Sequence, residues 1–557
     1  MIEGLNVFPI VAQGTFNPLD TGIVIVYIVG LVALGIWAGY RKKTSSTQLF
    51  LAGRSLSWPV IGISLFCANI SSIHLVGLAA DGHRVGLSVG NFEWGASFTL
   101  IILGLVFAPF YFRSHLTTLP EYVEKRYSST TRTILGIIFI LSALLVHIGM
   151  SLYAGGVLIK EFFGIPVNIS IIVISVATAL YTVLGGLRAV MITNILQVII
   201  LLAGAITLTF LGLKELAVRG ITSVAEFKET VAAVKPNVDI SMLTPIRDQE
   251  GKMFDYSWLC ALVGYPVLGI WYWCTDQTIV QNILAAKSEK DGRDGAIFGG
   301  FMKILPVFLM VLPGVIAIAL FHDKIGDNND TTLTVMMTEL LGPGFLGLFA
   351  AGLLAALMST VAAALNSTAT LASSDILQRI KPDTPDSTLV WTGRITSVIV
   401  IIGAMYWSFT LGDKFPSIFV AINQVPMMFA PAITTIFVLG VFWKRGTKQA
   451  AITTLLFNMA IGIPYLVVEI VPETKLVTQT WGIPFMLVGG IFIAMCIVVY
   501  IIVSLMTPAP SSEKLENLVW KHPLEFIMLG KIKGITDPRV MAGMLFALMI
   551  VLYIILG

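Results

Sequence analysis

The sequence predicts an all-α polytopic membrane protein of about fourteen transmembrane helices, and three observations carry that expectation. Apolar residues make up 56% of the 557 residues and charged residues only 12%, with a mean hydropathy of +0.88. Apolar runs of roughly 18 or more residues recur along the whole chain, each long enough to cross a hydrocarbon core about 30 Å thick. Lys and Arg collect in alternate connections between those runs, as the positive-inside rule requires. A net charge of +3 with no basic domain leaves no electrostatic footprint for nucleic acid.

In chain order the expected spans are 22–40, 58–81, 90–112, 133–159, 166–185, 190–213 and 257–276. They continue at 295–321, 342–372, 389–411, 416–442, 449–471, 482–506 and 540–556. Nothing basic precedes the first, it is too long for a signal h-region, and Arg41, Lys42 and Lys43 follow it, so it reads as an anchor. One set of loops holds Arg41, Lys42, Lys43 and Arg54, then Arg113, Lys125, Arg126 and Arg132, then Lys287, Lys290 and Arg293, then Lys444, Arg445 and Lys448. That set is expected to face the cytoplasm, which puts both termini outside for an even number of spans and places the chain in a cell membrane. The segment 214–256 reads as an external excursion with some amphipathic helix, and 507–539 as a cytoplasmic linker. Cys67, Cys260, Cys274 and Cys496 all lie inside apolar runs without metal-ligand spacing and read as packing residues.

Function should show as polar residues inside spans, because a charge at the bilayer centre costs at least about 2.5–3.5 kcal/mol. The second span carries Asn69, Ser71, Ser72 and His74, the third Glu93, and the fourth His147. Later spans add Tyr272, Trp273, Lys303, Ser359, Thr360 and Asn423. Asn and Ser side chains compete for backbone groups, so ANISS reads as a helix interruption in mid-membrane, and interrupted spans turn carbonyls toward ions. Each residue also has a plainer role. Asn69 and the serines serve equally as interhelical glue, the histidines as satisfied interior groups, Tyr272 and Trp273 as packing aromatics, and Arg394 and Asp375 as snorkelling or paired span ends. Glu93 and Lys303 fit either a structural ion pair or a solute contact.

Together, one acid, one base, amides, imidazoles and aromatic faces suit a neutral polyhydroxylated solute; no Arg stands among them to hold an anion. Ser359 and Thr360 are adjacent hydroxyls able to offer two hard oxygens to one Na⁺. A membrane-embedded enzyme would need a nucleophile or metal constellation, and none is visible outside this set. No organic cofactor and no obligatory protein partner is implied; the expected partners are sodium, a small solute and lipid.

The strings FLAGRS, SLFCANIS, FEW, GGLRAVMITNILQ, WYWCTDQ, IVQNILAAKS, LNSTAT, SSDI and VLGVFWKRGTKQAA occur in that order between Leu49 and Arg445 and just beyond. In them the sequence closely resembles the sodium:solute symporter family, in its sodium/glucose and sodium/galactose cotransporter branch. The resemblance implies a LeuT-type core of two inverted five-helix repeats, 58–213 and 257–442. Before them, 1–57 holds the external N-terminus, first helix and cytoplasmic loop; after them, 443–557 adds three helices. It implies sugar contacts at Asn69, His74, Glu93, Lys303 and Asn423, with His147 a further one, and an inner gate at Tyr272 beside Trp273. Leu78, Phe92 and Phe419 would cover the sugar from outside. Sodium would take the carbonyls of Cys67, Ile70 and Ala356 and the hydroxyls of Ser359 and Thr360. The sequence departs from the branch at Asn423, usually Gln, and at Gly269, usually Asn or Thr, which leaves glucose-like sugars and cyclitols such as myo-inositol both open. It also departs at Asn194, usually Asp, and Ala362 lacks a hydroxyl, so one sodium per solute is expected. The family's transporter-like solute sensors are the alternative of another class, although no signalling domain follows Met506.

Overall fold

The computed structural model describes residues 17–40, 52–70, 72–113, 116–247, 251–411, 422–470 and 475–557, apart from 512, 523, 529, 530 and 533. Among the described residues there is no β-strand, and helices follow one another. Ten are long and apolar enough to cross a membrane, and two bent pairs bring the number to twelve. Two shorter apolar helices, Pro18–Leu34 and Val167–Leu180, fall on the first and fifth expected spans.

The helices used below are α1 (Pro18–Tyr40), α2 (Trp58–Asn69), α3 (Ser72–Val85), α4 (Leu87–Arg113), α5 (Ser129–Phe163), α6 (Val167–Val218) and α7 (Trp258–Thr275). They continue with α8 (Gln277–Leu284), α9 (Glu289–Ile325), α10 (Phe345–Ile380), α11 (Asp386–Leu411), α12 (Ala430–Phe442), α13 (Lys448–Ile470), α14 (Phe485–Met506) and α15 (Pro538–Leu556). Although α6 runs for 52 residues, its two apolar stretches lie beside the same part of α10, as two separate crossings would. A Cβ on Gly155 would touch both Ile174 and Leu357, and one on Gly352 would touch Ile200. The external excursion carries the helix Val224–Val234, opened by a capping box in which Ser223 and Glu226 satisfy each other's backbone amides.

Two helices break where polar residues or prolines interrupt the backbone ladder. At Ile70 the chain becomes extended, with φ −72 and ψ 104, and Trp58–Asn69 meets His74–Val85 at 60°. The expected interruption at ANISS is therefore present. Cys67 and Ile70 sit at that helix end, where backbone carbonyls turn away from the ladder. The second break joins Ile422–Met428 to α12 at 64°, with Pro426 and Pro431 on either side of Phe429. Neither proline can donate to the ladder.

Close packing between small residues fixes α3 against α9. A Cβ on Gly314 would come within 2.1 Å of the Ala79 carbonyl oxygen, and one on Gly82 within 2.5 Å of the Val311 oxygen. Backbones can approach this closely only where side chains are absent. Nearby, Tyr256 donates to Asp81 at 3.0 Å while Arg84 donates to both Asp81 and Tyr256, tying α3 to the segment before α7.

Other buried charges do structural work. At the end rich in Lys and Arg, the buried Arg126 donates to the carbonyls of Gly440, Trp443 and Gly446 and so caps α12. Asp375 accepts from Thr118 and Arg132, and Arg132 and Arg379 both reach Glu124. The paired reading of Asp375 is the one observed. The 507–539 linker docks on this end through Trp520, whose backbone amide donates to the Val441 carbonyl at 2.9 Å. All four cysteines are buried.

Candidate functional site

The two broken helices, together with α4, α5, α7, α9 and α10, surround one cavity. It is lined by Asn69, His74, Phe92, Glu93, His147, Tyr272, Trp273, Lys303, Thr360 and Asn423 among others. Thus all eight residues expected to contact the solute share one chamber. Their positions follow from local backbone chemistry. Asn69 ends α2 at the break and His74 lies just past it. Glu93 sits in α4 just after its opening 3-10 turn Leu87–Gly90, at the start of the α-helical stretch Asn91–Ile102. Lys303 lies at a turn three residues before Pro306, whose missing N–H and ring disrupt the helix one turn earlier.

These side chains form a relay along the cavity wall. Lys303 Nζ donates to Glu93 Oε2 and to Asn69 Oδ1, and Asn69 Nδ2 in turn donates to His74 Nε2 at 3.3 Å. Lys303 and Glu93 are 1% and 3% exposed, so the two charges neutralise each other in a setting where neither could stand alone. The question left open by the sequence is answered in part: they are an ion pair, and the pair faces the cavity. Against it stand aromatic rings. Lys303 Nζ lies 5.5 Å from the centre of the Trp273 ring, and Tyr272 meets Trp273 edge-on at 5.1 Å. The arrangement presents donors, acceptors and aromatic rings side by side to the same chamber.

Some expectations find a different setting. Leu78 is fully buried in the helix core and is absent from the cavity wall. Phe419 and Ser71 lie outside the described residues, as does the side chain of Asn194. His147 touches the cavity, but its Nε2 is 3.4 Å from Asp276 Oδ2, and its ring lies 5.6 Å from that of Tyr272. Asp276 also caps α8 by accepting from the Thr278 amide at 2.9 Å. An Asp opening a new helix directly after WYWCT was a capping signal available in the sequence.

Tyr265 was missed altogether. Its ring fills the space a Cβ would need at Gly95 and at Gly269, with approaches of 2.4 and 2.7 Å. At Gly269, therefore, an aromatic ring occupies the place a side chain would take. The expected cation residues are also close to the chamber. Thr360 lines it, Ser359 is buried one position earlier, and Thr360 Oγ1 donates to the Ala356 carbonyl at 3.3 Å. Their helix α10 packs against both α2 and α3, so it flanks the break that holds Cys67 and Ile70.

An all-helical membrane fold with two spans broken around a buried polar chamber defines a LeuT-type secondary transporter. Its backbone matches a substrate-bound, outward-open Na⁺-coupled sialic acid symporter with a TM-score of 0.73, at 20% identity and covering 89% of this chain and 99% of that one. It matches the nucleobase-cation-symport-1 transporter Mhp1 with a TM-score of 0.54, at 14% identity, covering 86% of this chain and 99% of that one. The sodium:solute symporter family profile matches residues 49–458, and the chain belongs to that family. It is a sodium-coupled solute symporter, a transporter rather than an enzyme. Over 541 residues it is 32% identical to sodium/glucose cotransporter 4 of Danio rerio, covering 91% of this chain and 82% of that protein. It is 32% identical to the sodium/mannose cotransporter SLC5A10 of Bos taurus (92% and 90% covered) and 29% identical to sodium/myo-inositol cotransporter 2 of Oryctolagus cuniculus (93% and 81% covered).

Proposed function

We propose that this symporter carries a neutral monosaccharide of glucose or galactose type with sodium, by alternating access. The observation that carries the reading is the buried Glu93–Lys303–Asn69–His74 relay in one cavity with Tyr272 and Trp273. A carboxylate and an ammonium that neutralise each other can accept from and donate to sugar hydroxyls without demanding a charged solute. Asn423 adds an amide, His147 an imidazole held near Asp276, and Tyr272 a flat face for the C–H side of a pyranose. Tyr272 acts as the inner gate, and Phe92 and Phe419 as the outer cover. Sodium binds the carbonyls of Cys67, Ile70 and Ala356 and the hydroxyls of Ser359 and Thr360, next to the same break. The Lys/Arg-rich end faces the cytoplasm and both termini lie outside.

A cyclitol is the second reading, favoured by Gly269 and Asn423. The first offers no hydrogen-bonding side chain and the second reaches one methylene less far than Gln, changes sufficient to re-rank hydroxylated rings. The deciding experiment is a competition panel of glucose, galactose, mannose and myo-inositol against labelled solute in proteoliposomes under an inward sodium gradient. Sodium-dependent accumulation of a hexose, blocked best by a hexose, is expected. Preference for myo-inositol selects the second reading, and ligand binding without accumulation would identify a sensor.

A further inference from the structure

Gln197, on the second stretch of α6, is 2% exposed, and among the described residues neither Oε1 nor Nε2 of its amide has a hydrogen-bond partner. It begins a buried stripe continued by Leu201, Ala205 and Leu208, spaced as one face of a helix. That face meets α10. A Cβ on Gly204 would fall 2.2 Å from the Phe349 ring, and one on Gly352 would fall 3.0 Å from Ile200 Cγ2. Residue numbers thus fall along α6 as they rise along α10. Continuing one turn past the Ile200–Gly352 contact, at about 1.5 Å per residue, brings Gln197 level with Ala355 and Ala356. Ala356 supplies the carbonyl to which Thr360 Oγ1 donates at 3.3 Å. The same α6 packs against α2, which ends beside Cys67 and Ile70.

A buried amide with no partner is destabilising, since the group surrenders its bonds to water and regains none. Leucine at this position would fill similar space without that cost. We propose that Gln197 belongs to the coupling-cation site, its Oε1 supplying a further neutral oxygen to bound sodium. This rests on the assignment of sodium to Cys67, Ile70, Ala356, Ser359 and Thr360. An amide oxygen is a hard ligand of the kind such a cation takes, and it adds no net charge to a low-dielectric site.

The test is thermal unfolding of the purified full-length protein across a sodium titration at constant ionic strength with choline, alongside Thr360→Ala. A ligand at free concentration L that binds only the folded chain stabilises it by RT ln(1 + L/Kd), so a weaker site begins to raise the melting temperature only at higher sodium. In Gln197→Leu the sodium-free melting temperature is expected to equal or exceed that of the wild type. The sodium concentration needed for a given rise in melting temperature should go up about tenfold, as for loss of one hydrogen-bond-strength contact. Gln197→Asn, which withdraws the oxygen by one methylene, should shift it in the same direction and serves if the leucine variant does not fold. Gln197→Glu, which keeps the oxygen, should retain a sodium response. Wild-type sodium dependence in Gln197→Leu, or in Gln197→Asn where that variant stands in, overturns the inference. If Thr360→Ala has meanwhile lost the response, the assignment of the hydroxyls survives. A wild-type response in Thr360→Ala as well, or no sodium response in the wild-type protein, overturns both.

Discussion

Lys303 and Glu93 cannot be understood one at a time. Removing one member of a buried ion pair costs about 3–5 kcal/mol, because the other charge is stranded, so Lys303→Ala is expected to lower stability and uptake together. Glu93→Gln keeps the shape and a hydrogen-bonding oxygen while losing the charge; it should fold and should bind the solute at least about tenfold more weakly. Replacing both, as in Glu93→Leu with Lys303→Met, separates structure from function. The melting temperature should recover toward wild type, since apolar pairs of similar volume often equal a buried salt bridge, but sodium-dependent uptake should stay lost. Recovery of uptake would reduce the pair to architecture. For Thr360→Ala, the sodium half-saturation of transport is expected to rise while maximal solute flux at saturating sodium changes less. An unchanged half-saturation would count against the hydroxyl as a ligand.

Between elements, the first helix matters through one side chain. Asp20 of α1 is buried, and its Oδ1 accepts from the amides of Gly344 and Gly347 at 2.7 and 2.8 Å. Gly347 lies in the first turn of α10, and Gly344 is its N-cap residue, with φ +86 and no side chain to cap with. An aspartate from another helix thus does what an N-cap residue ordinarily does, with the helix dipole adding to the hydrogen bonds. Asp20→Ala is expected to cost about 1–3 kcal/mol, seen as a lower melting temperature, with Asp20→Asn recovering part of it. At the α3–α9 crossing, Gly314→Ala places a methyl against the Ala79 carbonyl and must push the two helices apart. Because His74 rides on α3 and Lys303 on α9, the expected result is weaker solute affinity with sodium half-saturation little changed.

For the whole molecule the consequence is energetic. With Asn194 in place of a carboxylate and Ala362 in place of a hydroxyl, a second hard cation would meet little to offset its dehydration, so one sodium per solute is expected. One sodium moving down about 120 mV and a tenfold gradient supplies on the order of 4 kcal/mol, enough for roughly a thousandfold accumulation. Two would allow about a millionfold. Reversal potentials in proteoliposomes separate the two cases, and a value fitting two sodium ions would require a second site among other residues.

The membrane class, the spans and the interruption at ANISS were legible in the chain, because burying backbone in lipid forces long apolar helices and makes every polar departure conspicuous. The cavity residues were legible as types for the same reason: an acid, a base and amides in mid-span stand out against hydrocarbon. Who partners whom was not. Glu93 and Lys303 are 210 residues apart, and nothing in either local sequence specifies the other; only the crossing of α4 and α9 brings them together. The ring of Tyr265 taking the place of a side chain at Gly269, the Asp20 cap on α10 and the burial of Gln197 without a partner among the described residues were equally invisible. Each depends on which helix faces meet, and packing between distant helices is decided by tertiary geometry, not by the periodicity of any one of them.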